Sequence, residues 1–215
     1  MPGQEPCQEI VAEFVAATLT AFRLRLLRHI YEQKGSHIRD LSTSLGLHLH
    51  SVHKAIERLM PLLQQTRVGA TKLLELDPHQ GGYLTLLLII EDYRSDTAPG
   101  EAKTILRNLA NALAGDRNVL AACLFGSHAR GRATGKSDID ILVVLRKKEP
   151  ALARRLAELG ALFGREVSPL VLTETEFLRG IKEGEPTLLS LREPRQRYIV
   201  RGAEYFLSCL APLTR

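Results

Sequence analysis

The chain has 215 residues and a formal net charge of +5, and its 45% hydrophobic and 25% charged residues are typical of globular proteins, which excludes disordered, collagen-like and coiled-coil chains. Its longest apolar run, residues 84–90, is far shorter than the roughly 20 residues that cross a bilayer, and the N-terminus lacks the pattern of a signal peptide. Three widely spaced cysteines predict reduced thiols, so we expect a cytoplasmic protein without membrane association.

The positive charge is unevenly distributed along the chain. Residues 1–78 contain 9 Lys and Arg against 8 Asp and Glu, whereas the remainder contains 20 against 16. A mildly basic surface attracts phosphate-bearing ligands, whether nucleotides or DNA. Scattered solvated charges give the same totals, so the net charge alone does not decide between these interpretations.

The first third of the chain predicts three helices. Apolar residues at helical spacings predict the first over residues 8–34, which Gly35 ends in the left-handed conformation, while Ser36 caps the next helix. Residues 37–59 predict two short helices joined by a tight turn at Gly46. Two short helices joined by a glycine-containing turn form the helix-turn-helix pattern.

A β-hairpin is predicted to follow these helices. The segments LLQQTRV and TKLLELD have the pattern of two strands around Gly69. Together with the helices they resemble a winged helix-turn-helix domain, which we place at residues 1–78, before a turn-rich segment.

This resemblance implies that the first domain binds duplex DNA through exposed polar and basic side chains, which would meet phosphates and guanine edges. On the second helix of the pair and on the wing, the candidate DNA-binding residues are His50, Ser51, His53, Lys54, Arg58, Arg67 and Lys72. Because DNA readers of this kind usually act as symmetric pairs, we expect a homodimer, with Phe14 and Phe22 of the first helix at its interface. The nearly neutral charge of this part leaves open an alternative, in which the domain contacts proteins or only mediates dimerisation.

The remainder of the chain predicts a linker with a helix at residues 79–100 and an α/β domain at residues 101–215. Apolar patterns indicate strands at residues 118–125, 139–145, 166–172 and 196–201, and helices at residues 83–94, 101–114, 150–163, 174–183 and 203–210. Because residues 139–145 are apolar on both faces, we expect them at the centre of a sheet. Pro169 belongs on an edge strand or at a bulge, and Thr173 is expected to cap the helix that follows it.

The stretch LFGSHARGRATGKSDIDILVVL carries the chemistry of this domain. Gly126 and Ser127 follow a buried strand, where a glycine lets the backbone approach a ligand and the first amides of a helix donate to phosphate oxygens. Asp138 and Asp140 open the next strand two residues apart, so both carboxylates point to one face. Two such acids repel each other unless a cation lies between them, and Mg²⁺ is the cation that carboxylates and phosphates together hold.

The combination of GS-x-A-R-G with S-D-I-D at this spacing resembles the motif of the minimal nucleotidyltransferases of the DNA polymerase beta superfamily, over about residues 100–200. The resemblance implies an α+β or α/β fold with a small mixed sheet, in which Gly126 and Ser127 hold the phosphates of a nucleoside triphosphate, expected to be ATP. Asp138 and Asp140 would coordinate Mg²⁺ or Mn²⁺ while NMP passes to an acceptor hydroxyl, for which another protein is one candidate. Arg130, Arg132 and Lys136 either steady the triphosphate or only make the loop soluble.

The chain departs from the family pattern at one position. Family members usually place a third carboxylate on the next core strand, where this chain has Ser168, and a serine cannot act as a metal ligand or base in its place at neutral pH. Glu166, two residues earlier on the same strand face, is the candidate substitute, or else an exposed charge at the strand edge. Two functions therefore remain: a Mg²⁺-dependent nucleotidyltransferase coupled to a winged-helix DNA-binding domain, or a DNA-binding transcriptional regulator whose catalytically degenerate domain senses nucleotides.

Overall fold

The computed structural model describes residues 19–210, except for the side chain of residue 153. The chain divides into two compact units, of which the first ends at Ile90 and the second begins at Glu91. Among the described residues, no helix is long and apolar enough to cross a membrane. Residues 8–18 of the predicted first helix, with Phe14 of the predicted dimer interface, lie outside the described residues.

Between residues 19 and 76, the described part of the first unit forms three α-helices followed by an antiparallel hairpin. Its elements are α1 (Ala21–Gln33), α2 (Ile38–Leu45), α3 (Leu49–Leu59), β1 (Leu63–Val68) and β2 (Thr71–Leu76). Gly46 ends α2 in the left-handed conformation, with φ of 61°, which confirms the predicted turn between the two short helices. Each helix buries one apolar face, represented by Leu27, Leu41 and Ile56.

Three predictions about the ends of α1 and the start of α2 are wrong. The predicted helix over residues 8–34 is not continuous, because Thr20 is extended and its hydroxyl accepts a hydrogen bond from the backbone N–H of Arg23, which caps a new helix. Lys34, not Gly35, adopts the left-handed conformation at its end, with φ of 57°. Ser36 does not cap α2, because His37 holds the N-cap position, without a side-chain capping bond. The N–H and C=O of Ser36 instead pair with the backbone of Leu74, each at 2.9 Å.

A four-stranded mixed sheet forms the centre of the second unit. The strands are β3 (Val119–Phe125), β4 (Ile139–Leu145), β5 (Val167–Thr173) and β6 (Arg197–Arg201), in the order β5-β4-β3-β6. β5 is parallel to β4, whereas β3 is antiparallel to both β4 and β6. Six of the seven β4 residues are buried, which confirms its predicted central position, and β5 with Pro169 is an edge strand.

From residue 83 onwards the described chain also forms seven α-helices. They are α4 (Tyr83–Asp96), which crosses the boundary between the units, α5 (Gly100–Ala112), α6 (Gly126–Ala129), α7 (Pro150–Phe163), α8 (Glu174–Glu183), α9 (Pro186–Ser190) and α10 (Ala203–Leu210). Sequence patterns did not predict α9, whose five residues are too few for an apolar period.

The side chains of β4 point alternately to the two faces of the sheet, so that one face packs into the core and the other faces the candidate site. Ile139, Ile141, Val143 and Leu145 pack into one hydrophobic cluster with residues of α5 and α7, such as Ile105 and Leu156. Since side chains alternate along a strand, Asp140 points to the opposite face of the sheet. The burial of the isoleucines on both sides of Asp140 therefore holds its carboxylate on that face.

Candidate functional site

The corner between β3 and α6 is built around Gly126. Phe125 is still extended, and Gly126 turns the chain with φ of +69°, a conformation that side-chain-bearing residues rarely adopt. A Cβ atom at Gly126 would lie 1.8 Å from Oδ2 of Asp140. The corner and the carboxylate are thus in direct contact, and only glycine fits between them.

The electrostatic environment of Asp140 has opposing contributions. Burial raises the pKa of this carboxyl group above its ordinary value, and the nearby negative charge of Asp138 raises it further. The charges of Arg130 and His128, together with a hydrogen bond donated by the backbone N–H of Ser127, lower the same pKa and only partly offset the increase. A proton therefore remains on Asp140 to a higher pH than on an ordinary aspartate unless a cation takes its place.

The loop from Arg130 to Asp138 carries the remaining candidate residues. Arg130, Arg132, Lys136 and Asp138 are all exposed. The Arg130 guanidinium lies 3.4 Å from Oε1 of Gln196, and a turn closed by the Thr134 N–H and the Ser137 hydroxyl at 2.9 Å leads into Asp138.

The residues at this corner fit a divalent cation. Asp138 and Asp140 offer hard oxygen ligands, and the raised pKa of Asp140 indicates a free-energy cost that a cation between the two carboxylates would offset. The missing Cβ of Gly126 leaves the Asp140 carboxylate room at the corner. Among the described residues, no group of three or more His, Cys, Asp or Glu side chains is arranged to hold a metal ion.

The neighbouring strand brings a serine to the acidic pair. Ser168 of β5 is the register partner of Asp140 in the parallel ladder, and paired residues point to the same face of a sheet. Glu166 precedes β5 and is exposed, and its backbone carbonyl accepts a hydrogen bond of 2.9 Å from the N–H of Ile139. Ser168 thus lies beside Asp140 in the sheet, and it offers a hydroxyl group instead of a carboxylate.

Three residues that sequence reasoning did not select lie close to this corner. His128 is 3% exposed, and its Nδ1 lies 3.8 Å from Oε2 of Glu101 on α5. The same Glu101 oxygen accepts from Nη2 of Arg165 at 2.9 Å. The sequence did not signal these contacts, because Glu101 and Arg165 are distant from His128 along the chain.

A second group of candidate residues lies in the first unit, on α3 and the hairpin. The candidate DNA-binding side chains are all exposed: His50, Ser51, His53, Lys54, Arg58, Arg67 and Lys72. On the opposite side of α3, Val52, Ala55, Ile56 and Leu59 are buried. The helix therefore presents a polar, partly basic face.

Comparison with protein families bears on the second unit. Residues 106–191 match the nucleotidyltransferase domain family. The match covers the corner at Gly126, the acidic pair and Ser168, and it leaves out β6 and the whole first unit. Nucleotidyltransferases of this family usually use a divalent metal ion and a nucleoside triphosphate. No curated protein and no solved structure matches the chain.

Proposed function

We propose that the second unit is a Mg²⁺- or Mn²⁺-dependent nucleotidyltransferase that transfers NMP from a nucleoside triphosphate, ATP first among the candidates, to an acceptor hydroxyl. The observation that carries the proposal is the contact between Gly126 and Asp140, where a Cβ atom would lie 1.8 Å from the carboxylate oxygen. With no side chain at the corner, the backbone amides that follow Gly126 would be able to bind phosphate next to Asp140, which would act as a cation ligand. The match over residues 106–191 supports the same chemistry.

Each candidate residue has a role that its position supports. Gly126 and Ser127 would receive the β- and γ-phosphates at the start of α6, and the exposed Arg130 and Lys136 would steady them. Asp138 and Asp140 would hold the cation. When bound, this cation neutralises negative charge on the phosphates.

The transfer step also needs a group that accepts a proton. The acceptor oxygen would form a bond to the α-phosphorus as the bond to pyrophosphate breaks, and the hydroxyl proton must leave. Ser168 cannot take it, so we assign this role to Glu166, the exposed carboxylate just before β5. A protein carrying a free hydroxyl is the candidate acceptor.

Label transfer tests this proposal. The protein is incubated with Mg²⁺, ATP labelled at the α-phosphate, and an extract of proteins and small molecules, and the label attached to any acceptor is measured. We expect label transfer that Asp138→Asn and Asp140→Asn abolish and Glu166→Gln slows by about 10²-fold or more. Glu158→Gln, on the exposed face of α7, is the matched control. No label transfer by the unaltered protein under any of these conditions would contradict the assignment as an active transferase.

A DNA-binding regulator that senses nucleotides is the second candidate. It is favoured by the exposed polar and basic face of α3 and by Ser168 beside the acidic pair. Under this proposal the first unit is a winged helix-turn-helix domain that binds duplex DNA as a homodimer.

An electrophoretic shift with random duplex DNA tests the DNA-binding proposal. Binding should weaken steeply with salt if several phosphates are contacted, and Lys54→Ala with Arg58→Ala should abolish it. Arg179→Ala with Lys182→Ala removes the same charge from the second unit and should leave the shift largely unchanged. The absence of any shift at low salt would favour protein contacts instead.

A further inference from the structure

A polar network connects the Gly126 corner of the candidate nucleotide site with the loop that leads to Asp138. Glu101 stands in the first turn of α5, His128 in α6, and Arg165 in the short connection between α7 and β5. Oε2 of Glu101 lies 2.9 Å from Nη2 of Arg165 and 3.8 Å from Nδ1 of His128. One carboxylate thus joins the helix that begins at Gly126 to an arginine from a distant segment.

The same arginine holds the loop that leads to Asp138. Nη1 of Arg165 donates to the backbone carbonyls of Thr134 and Ser137, at 2.6 and 3.1 Å. Only 14% of the Arg165 side chain is exposed. Its position is set in turn by backbone bonds on both sides, because its N–H donates to Gly160 at 3.1 Å and the next carbonyl, of Glu166, accepts from Ile139. The guanidinium therefore joins the loop to the start of both β4 and β5.

A guanidinium is suited to this arrangement for a physical reason. Its planar fork can donate to two carbonyls on one side and to a carboxylate on the other, whereas a lysine ammonium is a single point charge on a flexible stem. The charge of Glu101 orients the fork and partly compensates the burial of the cation.

From these contacts we propose that Arg165 and Glu101 are positioning residues, which set the conformation of residues 134–137 and thereby the place of Asp138 relative to Asp140. Neither residue touches the substrate in this proposal. The inference rests on the proposed function, since Asp138 matters only if the acidic pair binds a cation and a nucleotide. Groups that orient metal ligands usually change metal affinity by about 10- to 100-fold when replaced.

Two measurements on Arg165→Gln test the proposal. Hydrogen exchange without any ligand should show the amides of residues 132–138 exchanging about tenfold faster, the effect of losing roughly one net hydrogen bond. Calorimetric titration with Mn²⁺ and ATP should show binding weakened by about tenfold or more. Glu101→Gln should shift both quantities in the same direction by a smaller factor, and Arg165→Lys should lie between Gln and the unaltered chain. In an Asp138→Asn background, Arg165→Gln should change the remaining affinity less than twofold.

The control and the contrary outcomes separate this inference from the proposed function. Arg154→Gln removes an arginine of α7, the helix that precedes Arg165, in an exposed ion pair with Glu158 at 3.3 Å, and should change neither measurement. If the unaltered protein binds Mn²⁺ with ATP, and Arg165→Gln matches it in affinity and exchange, the positioning role is wrong. If the unaltered protein binds nothing, the proposed function fails, and faster exchange in Arg165→Gln would still support the effect on the loop. If both Arg165→Gln and Arg165→Lys fail to fold, Arg165 is structural and the proposal is overturned.

Discussion

Gly126 satisfies two separate constraints at a single position. Its φ of +69° disfavours any residue with a Cβ atom, and the space that a Cβ would fill already holds the Asp140 carboxylate. The first constraint is common to many glycines of the chain, whereas the second belongs to the candidate site. The two can be separated by comparing Gly126 with Gly131, which has φ of +64° and open space around it.

Gly126→Ala should therefore do more harm than Gly131→Ala. The left-handed conformation costs each alanine roughly 1–2 kcal/mol, so both variants should unfold more easily by about that amount. Only Gly126→Ala should also displace Asp140 and abolish binding of Mn²⁺ with ATP, because its new methyl group takes the place of Oδ2. Chemical denaturation and calorimetry measure the two effects. Equal nucleotide binding by the two variants would mean that the corner does not hold the ligand.

The raised pKa of Asp140 gives a pH dependence of defined sign. The folded state holds the proton more tightly than the unfolded state, whose aspartate has its ordinary pKa of about 3.9. Protonated Asp140 therefore contributes to the free energy of unfolding in full below the unfolded-state pKa. This contribution is lost as the pH rises through the raised pKa of the folded state.

Asp140→Asn should for this reason stabilise the metal-free protein at pH 7, by less than about 1 kcal/mol because solvent around the partly exposed carboxyl group screens its interactions. The gain should shrink as the pH falls through the raised pKa of Asp140, because the carboxyl group of the unaltered protein is then itself protonated. Urea denaturation at several pH values measures it, with Asp96→Asn at the exposed end of α4 as the control. A pH-independent effect, or destabilisation at pH 7, would contradict this account of Asp140.

At the level of elements, local sequence patterns predicted most of the second unit. Apolar runs placed β4 at the centre of the sheet, and the alternation of Ile139, Asp140 and Ile141 predicted which side chain faces the site. The break at Thr20 was missed because the apolar periodicity continues across it, while the capping bond depends on a single hydroxyl. Repeating apolar patterns are therefore easier to predict than a helix break that depends on a single hydroxyl group.

The cap at the start of α8 is a local polar feature that the sequence did predict. The Thr173 hydroxyl accepts from the N–H of Glu176, and the Glu176 carboxylate accepts from the N–H of Thr173, which together form a capping box. The hydrogen bonds from Thr173 and the contact with Lys148 lower the pKa of Glu176 to about 2. The Glu176 carboxylate of the capping box therefore keeps its charge at any pH well above 2.

Thr173→Ala should lower the free energy of unfolding by about 1 kcal/mol, because it leaves the first turn of α8 without its acceptor. Thr175→Ala, at an exposed position of the same helix, removes the same hydroxyl without a cap and is the matched control. Denaturant titration of both variants compares the two changes. Equal stability of the two variants would show that the capping box contributes nothing measurable.

At the scale of the whole molecule, buried ionic contacts join segments that are far apart in the sequence. Glu91 of α4 is 2% exposed, and its two carboxylate oxygens accept from Arg94 at 2.5 Å and from Arg197 of β6 at 2.8 Å. Arg94 also donates to the backbone carbonyls of Pro194 and Arg197. No local pattern predicts this cluster or the contact of Arg165 with Glu101, because each depends on chain segments that only the finished fold brings together.

Removing the acid of this cluster should be strongly destabilising. Glu91→Ala leaves two buried guanidinium groups without their shared carboxylate, so we expect a loss of about 3–5 kcal/mol in the free energy of unfolding. Glu158→Ala breaks the exposed pair with Arg154 and should cost about 1 kcal/mol or less. Thermal and urea denaturation monitored on the second unit compare them. A loss at Glu91 no larger than at Glu158 would mean that the cluster does not hold α4 to the sheet.

The account depends most on the pair Asp138 and Asp140 binding a cation together with a triphosphate at the Gly126 corner. Isothermal titration of the full chain with ATP in the presence of Mg²⁺ tests this most directly. We predict saturable binding that requires the cation and disappears in Asp138→Ala/Asp140→Ala, while the exposed double replacement Asp92→Ala/Asp96→Ala on α4 leaves it unchanged. Binding of equal strength in the Asp138→Ala/Asp140→Ala variant, or no binding by the unaltered protein, would contradict it.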